Sequence, residues 1–356
     1  MTTNLYQAHR QWAIRPKDER FGSLEDLYNF TLSKKQNSTQ RVQTLETISL
    51  ETNENRDLIV NGNSPKSTIS NWAFGQLGCL AGAPASYLRT IPPELAIACL
   101  QYGLKHSGRK TKILYREDPG NSNRFASAFT GPKYGRIWDA DILENLIPSI
   151  ENSAWHVPPA RANNESQNSG LYASDHDMFV FFVNDEKPVE IGNAKLGRGF
   201  FCWNSETGSS TFGLTTFLYN YICGNHIVWG AEQVEELKII HRANAPSHFY
   251  SQALPALNKY VGDKSIDNNV LTTVDKALCH KIGNTLDNAL DWFKPKPFTK
   301  QEVINAWDTG IKEGEDVTNV WGMVQGLTAY ARNLPFCDKK VNLERRAGGL
   351  LKLAAA

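Results

Sequence analysis

Hydrophobic positions change their spacing along the chain, and each change predicts a different kind of element. Up to about residue 68 the chain is polar, with segments such as SKKQNSTQR and ETNENRDLIVNGNSPKST that carry little material for a core. Within this arm Ser23 stands ahead of Leu24, Leu27 and Tyr28, which predicts the N-cap of one short amphipathic helix. From Ser70 the run SNWAFGQLGCLAGAPASYLRTIPPELAIACLQYGLKH places apolar residues at helical spacing. Breaks at Gly82 to Pro84 and at Pro92-Pro93 divide it into two or three short helices, the last beginning at the prolines.

From Lys110 the spacing shifts to alternation. TKILYRE and RFASAFTGPKYGRIWD flank the turn-rich DPGNSN and predict a hairpin. DADILENLIPSIE returns to helical spacing, with Asp139 or Asp141 as N-cap, and a polar, Asn-rich loop is expected from about 158 to 169. LYASDHDMFVFFVND, KPVEIG and GRGFFCWN then read as three short strands of an antiparallel sheet. In NSETGSSTFGLTTFLYNYICGN, the small residues predict a turn into a long buried helix with Phe212, Thr216, Tyr219 and Cys223 on one face and Gly224-Asn225 as its stop. HIVWG restarts as a strand, and beyond Ala245 the remainder has helical spacing and capping residues.

The expected class is therefore α+β: an antiparallel β-sheet packed on a long buried helix, with an N-terminal arm and a C-terminal helical region. The chain divides into a polar N-terminal arm or subdomain (1–68), an α+β core domain (69–245), a C-terminal helical region (246–335) and a basic tail (336–356). The closing KLAAA resembles a vector-derived end and is left outside the fold. No fixed-period repeat of the solenoid kind is present.

Composition narrows the function. A hydrophobic fraction of 41% suffices for a core, and 38 basic against 37 acidic residues leave no overall field to draw the chain onto polyanions or membranes. Any nucleic-acid site must be local. The six cysteines lie far apart, mostly inside apolar runs such as AIACL and YNYIC, which predicts reduced, buried thiols and a cytoplasmic location. MTTNLYQAHRQW has no apolar signal core, and no apolar run approaches the roughly 20 residues of a membrane helix, so no membrane partner is expected.

Catalytic motifs are scarce. Asp175, His176, Asp177 and, downstream, Glu206 could assemble a divalent-metal nuclease, although their spacing matches no metal motif and the two aspartates serve equally to close a turn. There is no G-x-S-x-G elbow and no Walker lysine, and Gly197-Arg198-Gly199 precedes a strand where a dinucleotide fingerprint would precede a helix. No cofactor is expected. The clearest signal is charge: Lys105, Arg109, Lys110, Lys112, Arg116, Arg124, Lys133 and Arg136 face only Glu117 and Asp118 within one stretch, interleaved with aromatics. Such a hairpin can track phosphates and stack unpaired bases, or simply present a solvated face over a core. The contact set is Lys110, Lys112, Arg116, Arg124, Lys133, Arg136 and Arg198, with Tyr134 and Trp138 as stacking residues. Ser205, Thr207, Gly208 and Ser209, at the start of the expected helix, form a weaker phosphate site or merely cap that helix.

RPKDERFGSLEDLY, WAFGQLGCLAGAPASYLR, DMFVFF, GRGFFCWNSETGSSTFGLTTFLYNYICGNHIVWG and HRANA resemble the phage/plasmid-like proteins grouped as a bacterial domain of unknown function. The likeness spans roughly Trp12 to Ala245 and is most specific in the NSETG…CGN block. It implies a mobile-element setting and transfers no catalytic residues. In architecture alone, a hairpin sheet followed by a Ser/Gly-rich turn into a long helix looks like the single-strand annealing proteins of the RecT, Redβ and Erf type and the eukaryotic Rad-type annealing mediator. That likeness implies a ring or filament holding one DNA strand in a basic groove. The expected function is thus an oligomeric single-stranded-DNA binding and annealing protein of recombination, without nucleotide hydrolysis. The alternatives are the metal-dependent nuclease and a non-enzymatic protein that binds a host or mobile-element partner.

Overall fold

The computed structural model describes residues 17–54, 57–61, 65–118, 120, 123–151, 153–157, 170–191, 194–220, 226–227, 237–262, 268–332, 343, 346–351 and 353–354. Two sheets organise it. Sheet one has the order β1-β5-β6-β4-β3-β2, built from β1 (Ser38–Thr44), β2 (Ser49–Thr52), β3 (Leu58–Asn61), β4 (Ser67–Ile69), β5 (Lys110–Glu117) and β6 (Arg124–Thr130). The predicted hairpin is its centre: β5 and β6 pair antiparallel, with a register shift between Leu114 and Tyr115. Only β4 and β6 run parallel among its described pairs.

The polar N-terminal stretch enters this sheet directly. Leu45, which follows β1, Leu50 on β2 and Val60 on β3 share one core with Ile113, Tyr115 and Phe129, whereas Val42 of β1 stays exposed. The same core takes the apolar faces of α2 (Asn71–Ala81) and α4 (Pro93–Lys105), with the short α3 (Ala85–Leu88) between them. Pro92 and Pro93 start α4 as expected, since proline fits a helix's first turn. Ser23 caps α1 (Leu24–Gln36) by accepting the amide of Asp26, also as expected.

Sheet two is formed by β7 (Trp155–His156), β8 (Leu171–Ala173), β9 (Met178–Ile191), β10 (Ala194–Asn204), β11 (Phe212–Asn220), β12 (His226–Ile227) and β13 (Leu237–Ile239). KPVEIG is no separate strand, because β9 runs through it. The larger correction concerns Phe212–Asn220. It is a strand where a long buried helix was expected, paired with β10 on one side and with β12 and β13 on the other. The expected end of that helix, residues 221–225, lies outside the described residues, as does the Asn-rich loop. One face of the sheet packs Val180, Phe182, Phe200 and Cys202 against α1, α5 (Asp139–Glu151) and the segment after Ala245. The other carries a ladder in which Phe179 and Phe181 each stack on Phe201 with centroids 5.4 Å apart, and Phe201 stacks on Trp203.

The C-terminal region is helical: α6 (Ala245–His248), a π-helical turn (Phe249–Ala253), α7 (Leu254–Gly262), α8 (Asn268–Cys279), α9 (Leu286–Phe293), α10 (Lys300–Lys312) and α11 (Val320–Arg332). Thr299 and Glu302 form a reciprocal capping box at the start of α10. Leu343, Ala347, Leu350 and Leu351 join the core of these helices, and of the closing KLAAA the described Ala354 packs on it while Leu353 is exposed. Thiol burial is also corrected: Cys202 is buried, whereas Cys79, Cys99 and Cys279 are exposed. Among the described residues no helix is long and apolar enough to cross a membrane.

Gly213 shows how tightly β10 and β11 meet. It lies opposite Trp203, and a Cβ there would stand 1.9 Å from the indole ring. Gly213→Ala is therefore expected to destabilise the protein by about 1–3 kcal/mol, read from the urea midpoint. An unchanged midpoint would contradict the described β10–β11 register.

Candidate functional site

The residues selected for chemistry converge where β10 ends, and they converge on each other. After Asn204 the chain turns through Ser205–Ser209 before entering β11, and this turn is wedged against sheet one and α2. Gly208 takes φ +88°, a left-handed conformation that glycine adopts without strain. The carbonyl of Thr207 accepts from Gln76 Nε2 at 2.7 Å and Trp72 Nε1 at 3.3 Å, both on α2. Gln76 in turn accepts the amide of Phe129 on β6 at 2.8 Å.

Glu206 sits at the centre, 3% exposed. One carboxylate oxygen pairs with Arg116 on β5, and the other accepts the amide of Asp139, the first residue of α5, at 2.8 Å. A negative charge there is favoured by the helix's N-terminal dipole. Arg136 donates Nε to the Glu206 carbonyl at 2.5 Å, bonds Gln40 Oε1 on β1, and lies over the rings of Tyr134 and Trp138 at 5.3 and 5.6 Å. Asn204 bonds the Ile137 carbonyl and Asp139 Oδ1 at 2.9 and 2.7 Å. Burial first, and the charge of Glu206 second, raise the Asp139 carboxyl well above the usual carboxylate range. Burial likewise pushes the Tyr134 phenol up, while its hydroxyl donates to the Ser205 carbonyl at 2.8 Å. His241 stacks on Tyr134, and burial holds its imidazole down at about 4, so at neutral pH it is uncharged and its Nδ1–H donates to the Gly135 carbonyl.

This arrangement separates the expected contact residues. Arg116, Arg136 and Arg198 are buried, the last between Trp155 and Tyr260 on sheet two. Tyr134 and Trp138 hold Arg136, and so are engaged within the fold. Arg124 lies over Tyr115 and bonds Thr39, on the sheet face opposite Lys110 and Lys112. Lys110 and Lys133 are exposed, and half-buried Lys112 donates to the Tyr134 carbonyl at 2.7 Å. Of the expected contact residues, Lys110 and Lys133 are thus the ones left exposed.

The other two candidate sites are also reassigned. Ser205, Thr207 and Ser209 turn their hydroxyls inward onto the His176 carbonyl at 2.6, 3.1 and 2.9 Å, and a strand follows them, so no helix N-terminus is there to hold a phosphate. Of the four metal candidates, Glu206 is committed to Arg116, His176 stacks on Trp72, Asp177 bonds Ser174, and the Asp175 side chain is 85% exposed. Among the described residues no three His, Cys, Asp or Glu side chains form a metal-binding group.

One residue escaped the sequence reading. Lys34 on α1 looks like half of a solvated Lys-Lys pair, yet it donates to the Ser174 carbonyl at 2.7 Å and lies 3.7 Å from Asp175. Burial, then the charge of Arg116, lower its ammonium to about 8 against the opposing pull of Asp175 and Glu206. The signal was available, since Lys34 continues the buried stripe of Leu27 and Thr31. Together with Arg116 it lines a cavity of about 350 Å³ beside the buried network. A charge kept in a cavity against its desolvation penalty makes this a candidate binding or catalytic site. Comparison with protein-family models, curated proteins and solved structures finds no match to the chain, so this geometry alone carries the functional reading.

Two outcomes check the electrostatics. Glu206→Leu strands Arg116 and is expected to destabilise by about 3–5 kcal/mol, whereas Arg116→Leu with Glu206→Leu recovers part of that loss in denaturant unfolding. Additive losses would contradict the pair. For Lys34, the unfolded chain holds the proton up to the ordinary lysine value of 10.5 and the folded one only to about 8, so wild type gains stability as pH rises through that window. Lys34→Met should abolish this gain. A parallel pH dependence in both proteins would show that Lys34 is solvated.

Proposed function

We propose that the protein binds single-stranded nucleic acid without catalysis and promotes strand annealing as a homo-oligomer. One observation carries the reading: at the start of β5, Lys110 is exposed and Lys112 half-buried on the same face, and Lys112 donates to the carbonyl of Tyr134 beside exposed Lys133, which makes a lysine border there, while Arg116 and Arg136 are drawn into the interior. Val42 and Thr44 of β1 lie directly opposite Lys112 and Lys110, so this border presents lysines beside short neutral side chains. Lysine ammoniums on flexible stems suit a backbone of any sequence, because they neutralise phosphates without reading bases. With Tyr134 and Trp138 occupied by Arg136, the bases have no stacking partner among the expected residues and stay turned outward, as annealing requires.

The edge strand beside this border supports self-association. β1 ends the order of sheet one among the described residues, and its seven residues offer backbone groups to a further strand. A second copy paired there would bring two lysine borders together and lengthen the path for a strand. The cytoplasm and mobile-element recombination remain the setting inferred from the residue pattern and the NSETG…CGN block.

Salt dependence tests the proposal. Anisotropy of a labelled single strand of about 20 nucleotides should show binding that weakens with salt. Replacing Lys110, Lys112 and Lys133 together by glutamate should lower the slope of log affinity against log salt by about 2, at about 0.7 per phosphate contact for single strands. An unchanged slope in a variant of native circular dichroism would sink the proposed border.

A further inference from the structure

Between α1, the start of α2 and the far end of the β5–β6 hairpin lies the cavity that Lys34 and Arg116 share. We propose that this cavity binds a single phosphate group, either free phosphate or the monoester of a nucleoside monophosphate or nucleic-acid strand end, seated against Lys34 and Arg116. The inference goes beyond strand binding at the lysine border and rests on none of it. Lys110 and Arg116 stand six residues apart on β5, about 20 Å along the strand.

Several independent sources of positive potential meet here. Lys34 contributes an ammonium with three donors, of which the Ser174 carbonyl takes one. Arg116 is 8% exposed, and its Nε has no hydrogen-bond partner among the described residues although its other nitrogens reach Glu206 and the Asp175 carbonyl. That leaves a buried donor of an arginine that lines the cavity with nothing to bond, the situation a bound anion relieves. Ser70, in the same wall, is the N-cap of the 11-residue α2, whose first turn carries no acidic residue, so the positive end of that helix adds to the field.

The remaining walls select the kind of phosphate. Phe30 and Phe125 give the cavity apolar sides that suit a sugar or base edge, and about 350 Å³ is within the range of small-molecule sites. At the rim stand Glu117, Asp118 and Asp175, all exposed. Carboxylates there repel a second or third phosphate, which favours a monoester over a di- or triphosphate. Lys34 then has a role for its depressed basicity: a bound dianion restores the full charge that burial opposes.

The test reads Lys34 directly in the intact protein, as its acetylation rate with acetic anhydride followed by peptide mass spectrometry. Inorganic phosphate, deoxyadenosine 5′-monophosphate or a 5′-phosphorylated oligonucleotide should slow acetylation severalfold, and deoxyadenosine and the 5′-hydroxyl oligonucleotide should not. Protection by inorganic phosphate alone assigns the site to the free ion, and protection by the mononucleotide or the phosphorylated strand assigns it to a phosphorylated nucleoside or a strand end. No protection by any of the three, or equal protection by deoxyadenosine, overturns the proposal. Calorimetry with the protecting compound supplies the second arm: Lys34→Met should weaken it about tenfold or more, as loss of a charge-assisted hydrogen bond does. Unchanged affinity in Lys34→Met overturns the site. The glutamate variant of Lys110, Lys112 and Lys133 keeps the monoester site, and Lys34→Met keeps binding to 5′-hydroxyl strands, so either idea can fail without the other.

Discussion

A carboxylate enclosed by protein must be paired with charge or hydrogen-bonded, and Glu206 meets that demand with partners from β5 and from the segment that opens α5. Its side chain takes a guanidinium from β5 and the leading amide of α5, and its carbonyl takes the guanidinium of Arg136. The partners come from β5, from the start of α5 and from the connection that leads into it, so none can shift without exposing a buried charge. The turn that carries Glu206 is thereby pinned against sheet one, and with it the end of β10 and the start of β11. The cost of burying these charges is offset only if the geometry is kept, which makes the junction rigid.

That rigidity explains why the basic stretch from Lys105 to Arg136 does not form one continuous groove. Arg116 and Arg136 are used as interior partners, with planar donors matched to carbonyls, a carboxylate or aromatic faces, while Lys110 and Lys133 remain outside. Charge counting along the sequence cannot separate these roles, because both raise the local excess equally. Interior and exterior cations then occupy different places: Lys110 and Lys133 stand on the outside of sheet one, and Lys34 and Arg116 line the cavity.

The α+β class, the hairpin at Lys110–Thr130, the Ser23 cap, the helix starting at the prolines and the helical C-terminal region were all legible, because each rests on local signals. Phe212–Asn220 was misread for a definable reason. A segment apolar on both sides has no period to separate a buried helix from a central strand, and its aromatic and β-branched residues were the better guide. For the site, the sequence marked Arg116, Arg136 and the Ser205–Ser209 turn as special without revealing that they belong to one network. Partners separated by 90 residues, as Arg116 and Glu206 are, become neighbours only through the pairing of whole sheets. Lys34 went unnoticed because a Lys-Lys pair reads as surface unless its helical face is checked.

The central claim is that the Asn204–Ser209 turn is a buried structural junction, and amide hydrogen exchange measures this most directly. The Asp139 amide, bonded to the Glu206 carboxylate, should exchange in the slowest class, together with amides at the centre of β10 such as Phe200 and Phe201, through opening of the whole domain. If Asp139 instead exchanges as fast as the amide of Gly120 in the exposed hairpin turn, the junction opens locally and the account is contradicted.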